Sequence, residues 1–258
     1  MNWNPTWICP ANDLGDPAAV FGTSFVFEKK ITHANLTITA MGVYEARLNG
    51  RRVGQFVMAP GWTSYHKRLQ YQKYNITDLL ANGKNEIEVT VGKGWYRSPL
   101  PGWLGCAYQD ELRSRPCGLA AQITLTFEDG SSKILSTDES WKVSDGPVRF
   151  SEIYDGEIYD SAKTPLLDQP VTIFDGPTDT LILQQGEEVC EQERLAVKKV
   201  FVTPNGETVL DFGQNMTGYV ELFVNAKAGD CVDLSFAEVM DKEGNFYTEN
   251  YRGAKAQY

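Results

Sequence analysis

The chain is poor in positive charge. Its 24 Lys and Arg face 34 Asp and Glu, for a formal net charge of −10. A nucleic-acid binder needs a basic footprint, and anionic membrane surfaces repel such a chain, so neither partner is expected. No apolar run approaches the ~20 residues of a membrane span. The opening residues MNWNPTWICP hold no basic segment followed by an apolar stretch. No signal peptide is therefore expected, and the expected location is cytoplasmic. The five cysteines, Cys9, Cys106, Cys117, Cys190 and Cys231, are odd in number and form no CxxC pair. They predict reduced thiols, not a disulfide framework or a zinc site. Sequons headed by Asn35, Asn75 and Asn215 count only in a secreted eukaryotic chain. GxSxG, HExxH, P-loop and GxGxxG patterns are all missing. His33 and His66 lie far apart and near no cysteine or paired acid, which predicts no metal or triad role for them. No cofactor is expected.

Helical signals are scarce too. The best is a short turn over 77–83, with Thr77 as N-cap and Gly83 as C-cap. What the chain has in quantity is alternation. Leu36 and Ile38 alternate with Asn35, Thr37 and Thr39. Ile87, Val89 and Val91 alternate with Glu86, Glu88 and Thr90. Leu119, Ala121, Ile123, Leu125 and Phe127 form the longest such run. Period two marks half-buried strands, because successive side chains point to opposite faces. Asn49-Gly50, Asp129-Gly130 and Asn205-Gly206 each join two such runs and predict three type I′ hairpins.

The composition, 42% hydrophobic and 22% charged, is that of a folded protein. Many short strands with regular turns predict an all-β fold of two jelly-roll-like β-sandwich domains in tandem, with under about 10% helix. The segment SAKTPLLDQP over 161–170 carries two prolines and loses the strand pattern. It predicts a boundary between a first domain, 1–163, and a second, 164–258. Strands of the second are expected at 198–203, 207–212, 218–226 and 231–239. The last residues, NYRGAKAQY, stop without a cap, so a second domain cut from a longer chain is expected.

Two constellations invite chemistry. SEIYDGEIYD gathers Glu152, Asp155, Glu157 and Asp160. Glycosidases need two carboxylates facing across a sugar, and crowded carboxylates bind calcium. The cluster lacks EF-hand spacing, however. It reads as a polar strand and turn with Ile153 and Ile158 inward, so no catalytic or metal-ligating residue is expected there. The second constellation is a Gly/Pro-rich aromatic loop, 94–108, with Trp95, Tyr96, Trp103 and Tyr108 as flat rings and Arg97 and Asp110 as polar partners. Sugars stack their C–H faces on such rings while hydroxyls bond to polar neighbours. The alternative is that the rings plug the end of the sandwich.

Long ordered segments carry a family resemblance. GVYEARLNGRRVGQFVMAPGWTSYHKRLQYQKYNITDLL, VGKGWYRSPLPGW and YDGEIYDSAK resemble the N-terminal β-domain of bacterial α-L-rhamnosidases of glycoside hydrolase family 78. VLDFGQNMTGYVELFV and FAEVMDKEGNFYTENYRGAK resemble the concanavalin-like β-domain that follows it. The resemblance implies a parent that hydrolyses terminal α-L-rhamnose from glycosides with inversion. It also implies an (α/α)6 catalytic barrel after these β-domains that carries the catalytic acids and contacts them. Family members often have GNGW where this chain has Gly92-Lys93-Gly94-Trp95, and some bind rhamnose through calcium. A lysine there opposes a cation. Three roles follow: an accessory region of a rhamnosidase, a free-standing carbohydrate-binding module, or a structural unit without a ligand.

Overall fold

The computed structural model describes residues 3–99, 106–247, 249 and 255–257; the side chains of 108, 109 and 255–257 are outside that description. The chain is about 5% helix and 41% strand. Its main sheet uses β1 (Trp7–Pro10), β2 (Ala19–Phe27), β3 (Ile31–Ala40), β4 (Val43–Leu48), β5 (Arg51–Arg52), β6 (Leu69–Asn75) and β7 (Gly83–Gly92). Two helices follow, α1 (Gly94–Arg97) and α2 (Ala107–Ser114). Then come β8 (Leu119–Phe127), β9 (Ser132–Ser136), β10 (Lys142–Ser144), β11 (Val148–Glu152), β12 (Gly156–Tyr159), β13 (Gln169–Phe174) and β14 (Leu181–Leu183).

The main sheet runs β14-β6-β3-β8-β1-β13-β10-β2-β7-β4-β5, with β9 beside β8. It curls on itself. Leu36, Ile38, Ile123 and Leu125 from β3 and β8 share one buried cluster with Phe21, Ile87 and Val89 from β2 and β7. Each such side chain contributes roughly 1.5–3 kcal/mol through burial. The alternation of β7 and β8 is the cause: their apolar positions are buried in this cluster and the intervening ones are not, except Ala120 of β8, which is buried in a second cluster with Trp7 and Tyr96, and the polar Asn85 of β7.

β13 joins the two layers. It pairs antiparallel with β1, Trp7 opposite Phe174, and with β10, Lys142 opposite Pro170. β14 pairs parallel with β6. The boundary expected at 163/164 therefore moves downstream, past β14. Of the two prolines that suggested a linker, Pro170 is the second residue of β13, where a strand tolerates a missing N–H, and Pro165 precedes the strand.

The turns differ in kind. Asn49 and Gly50 have φ of 52° and 75°, as a two-residue I′ turn requires. At Asp129-Gly130 and Asn205-Gly206 only the glycine has positive φ, 80° and 87°. Gly130 N–H donates to Phe127 O and Phe127 N–H to Ser131 O, and Gly206 and Thr203 repeat the pattern. These are wider turns with a left-handed glycine, not I′ turns. The helical turn over 77–83 is a 3₁₀ turn, Thr77–Leu79, capped from outside by Asn75 Oδ1, which accepts from Thr77 N–H at 3.0 Å. Thr77 is thus not the cap, and Gly83 opens β7.

Downstream lie β15 (Lys199–Val202), β16 (Thr208–Asp211), β17 (Asp233–Ser235) and β18 (Lys255–Gln257). β15 and β16 form their own ladder. β17 and β18 add to β12 and β11 as a four-stranded sheet. No strand forms at 218–226. Leu222, Phe223 and Val224 there are 44%, 88% and 60% exposed, with no neighbouring strand to cover them.

Candidate functional site

The aromatic loop begins where β7 ends. Gly94 (φ 54°) turns the chain into α1. A Cβ on it would stand 2.6 Å from Val43 Cγ1 and 2.9 Å from Val43 N, so only glycine fits this approach to β4. The single turn of α1 then sends its three side chains in different directions.

Trp95 is half-buried and stacks on Trp62, ring centroids 6.1 Å apart and planes 5° from parallel. Trp62 is 53% exposed. It was not among the expected site residues. The signal for it was present: Pro60-Gly61-Trp62 repeats the tripeptide Pro101-Gly102-Trp103. Tyr96 is 1% exposed and cannot stack on a sugar. Its ring packs 4.7 Å from that of Tyr65, and its hydroxyl accepts from Arg115 Nη1 at 2.9 Å. For Tyr96 the packing role replaces the expected binding role. Asp110 is exposed in the first turn of α2 and does not line the cleft described below. Tyr108 lies on α2, its side chain outside the described residues, as Trp103 is altogether.

Arg97 points into a cleft of about 280 Å³ at the end of the sandwich, between the 10–19 loop, the end of β7, the 113–117 segment and Ser151. That is just under the ~300–1,000 Å³ of drug-sized sites and suits one small ring. Arg97 Nε is buried without a hydrogen-bond partner. The Cys117 thiol beside it is pushed up to about 11 by burial, against the pull of the Arg97 charge.

Lys93 forms the opposite wall. Its ammonium donates to Glu152 Oε1 at 2.8 Å and to Asp16 Oδ1 at 3.0 Å, and it lies 5.7 Å from the Phe150 ring centroid. Burial lowers its pKa, but the hydrogen bonds to Glu152 and Asp16 outweigh that and hold it above the ordinary lysine value. The ammonium already sits where two carboxylates face each other. No cluster of three or more metal-ligating side chains occurs among the described residues.

The acidic decapeptide disperses in the fold. Glu152 is buried against Lys93, Asp155 is exposed in the β11–β12 turn, and Asp160 Oδ1 accepts from Ala162 N–H. Ile158, expected inward, is 38% exposed, because the outer face of β12 has no layer over it. His33 bonds to Asn35, and His66 Nε2 lies 3.3 Å from Glu111 Oε2.

The fold thus defines an all-β module of curled-sandwich class, with an aromatic pair and a charged cleft at one end. The chain belongs to the α-L-rhamnosidase family: residues 29–193 match the alpha-L-rhamnosidase N-terminal domain, and 201–258 the bacterial alpha-L-rhamnosidase concanavalin-like domain. It is 37% identical over 239 residues to an alpha-L-rhamnosidase of Streptomyces avermitilis, covering 88% of this chain and 23% of that protein. Among solved structures, the native rhamnosidase of Aspergillus terreus is 34% identical with a TM-score of 0.89, over 98% of this chain and 31% of that one. The Streptomyces avermitilis enzyme complexed with L-rhamnose is 32% identical with a TM-score of 0.84, over 94% of this chain and 24% of that one. The chain spans between 23% and 29% of the length of the curated relatives it matches.

Proposed function

We propose that this chain is the non-catalytic N-terminal portion of a longer α-L-rhamnosidase that releases terminal α-L-rhamnose from glycosides with inversion. It supports an (α/α)6 catalytic barrel of the same polypeptide and contacts carbohydrate. The observation that carries this is the extent of the match, 88% of this chain against 23% of the relative. Chemistry placed outside the shared portion needs no catalytic pair here. That agrees with the dispersal of the acidic decapeptide, whose Glu152 is committed to Lys93. Inverting hydrolysis requires two carboxyl groups roughly 6.5–9.5 Å apart across a sugar.

The carbohydrate role rests on the Trp62–Trp95 stack. An indole 53% exposed and held flat by a second ring offers an apolar face at low entropic cost. One ring makes few contacts, so affinity for a single rhamnose is on the order of millimolar, about 4 kcal/mol. The five free cysteines go with a reducing, cytoplasmic location.

Incubation of the chain with an aryl α-L-rhamnoside tests the non-catalytic role. No release above buffer is expected. Turnover that vanishes in Glu152→Gln or Glu157→Gln overturns it.

A further inference from the structure

The cleft beside α1 carries a charge pattern that neutral-sugar stacking does not use. Its wall holds Lys93, Arg97, Arg113 and Arg115 against Asp13 and Asp16, the reverse of a chain whose net charge is −10. Two of the cations are matched, Lys93 by Asp16 and Glu152, and Arg115 by Glu111. Arg97 and Arg113 enter no ion pair among the described residues. Arg113 is exposed, and water screens it. Arg97 is half-buried, its Nε is shut away from solvent without an acceptor, and its polar neighbour is the Cys117 thiol. A cation withdrawn from water without a counter-charge is costly, and an anion entering the cleft removes that cost. The guanidinium fork matches the planar carboxylate with two parallel donors. Asn12, Asp13 and Ser151 add neutral and acidic acceptors suited to hydroxyl groups.

We infer that this cleft is a second binding site, separate from the Trp62–Trp95 stack, that takes a single acidic sugar ring with its carboxylate on Arg97 and Arg113. Neither tryptophan lines the cleft, so the two sites are testable apart.

The experiment is a calorimetric titration of the full chain with galacturonate, galactose and acetate, at low and high salt. Galacturonate should bind about tenfold more tightly than galactose, the ratio one charge-assisted hydrogen bond supplies, bind more tightly than acetate, which lacks the ring hydroxyls, and lose affinity at high salt. Arg97→Gln should reduce galacturonate to the level of galactose, and Arg97→Lys should keep part of the preference. Should Arg97→Gln fail to fold, Arg113→Gln on the exposed rim must still weaken galacturonate and leave galactose unchanged. Trp62→Ala must leave galacturonate binding intact. Equal affinity for galacturonate and galactose overturns the inference while leaving the rhamnose-stacking proposal standing. Equal affinity for galacturonate and acetate, or no binding of galacturonate, overturns it as well.

Discussion

Lys93 Nζ lies 2.8 Å from Glu152 Oε1, and this contact ties the wall of the cleft to the β11–β12 hairpin. The Glu152 side chain is 5% exposed and its second oxygen, Oε2, is buried without a partner. Removing the ammonium leaves a buried carboxylate with no counter-charge. Lys93→Met should therefore cost ~3–5 kcal/mol in urea unfolding. Glu152→Gln removes the charge with the same shape and should cost less. The double variant should lose less than the sum of the two single losses.

The same contact sets an alkaline limit. The Lys93 pKa is raised in the folded state, chiefly by hydrogen bonds to Glu152 and Asp16 that outweigh burial. Burial raises the Tyr44 hydroxyl well above its ordinary 10.0. In both, the folded state holds its proton more tightly than the unfolded state. Their stabilisation is complete below the unfolded values near ~10–10.4 and is lost as pH climbs through the folded ones. Unfolding free energy should be flat in this term from neutral pH to about 9 and fall above about 10. Lys93→Met should show a shallower fall; an unchanged slope would remove Lys93 from the account.

Tyr96 and Trp62 should respond to truncation by different amounts. Tyr96 is 1% exposed, so Tyr96→Ala should cost ~3–5 kcal/mol. Trp62 is 53% exposed, and Trp62→Ala should cost only the ring pair, ~0.5–1.5 kcal/mol, while weakening any rhamnose response. Thermal melts of the two variants check this.

The position of β13 makes a truncation informative. A chain ending at residue 163 lacks the strand that pairs with both β1 and β10. It should be unfolded by far-UV circular dichroism. A chain ending at 197 keeps β13 and β14 and should retain a cooperative melt. Equal folding of both would return the boundary to 163.

The parts of this fold that were legible in the sequence are those where one signal acts alone. From Ala121 onward β8 alternates because one face is buried and the other is only partly so, and of the three expected I′ pairs Asn49-Gly50 is the one whose two residues both take positive φ. β13 was illegible because Pro165 and Pro170 resemble a linker, and its partners β1 and β10 lie far away in sequence. In the site, the loop at 94–97 was visible as a run of aromatics. Its division into a stacked Trp95, a buried Tyr96 and a cleft-lining Arg97 was not, since one helical turn separates neighbours by direction only. The Lys93–Glu152 pair escaped because tertiary contacts at long separation leave no local pattern; the repeated Pro-Gly-Trp tripeptide marked Trp62 but not its stacking partner, Trp95.

The central claim is that carbohydrate meets this chain on the α1 side of the sandwich. The most direct measurement is a nuclear magnetic resonance titration of the 258-residue chain with L-rhamnose, following the indole N–H signals of its six tryptophans. The account predicts saturable shifts at Trp62 and Trp95, with a Kd on the order of millimolar, and none at Trp7, which is 2% exposed with its indole N–H bonded to Pro177 O. Saturation with no shift at either Trp62 or Trp95 would contradict it.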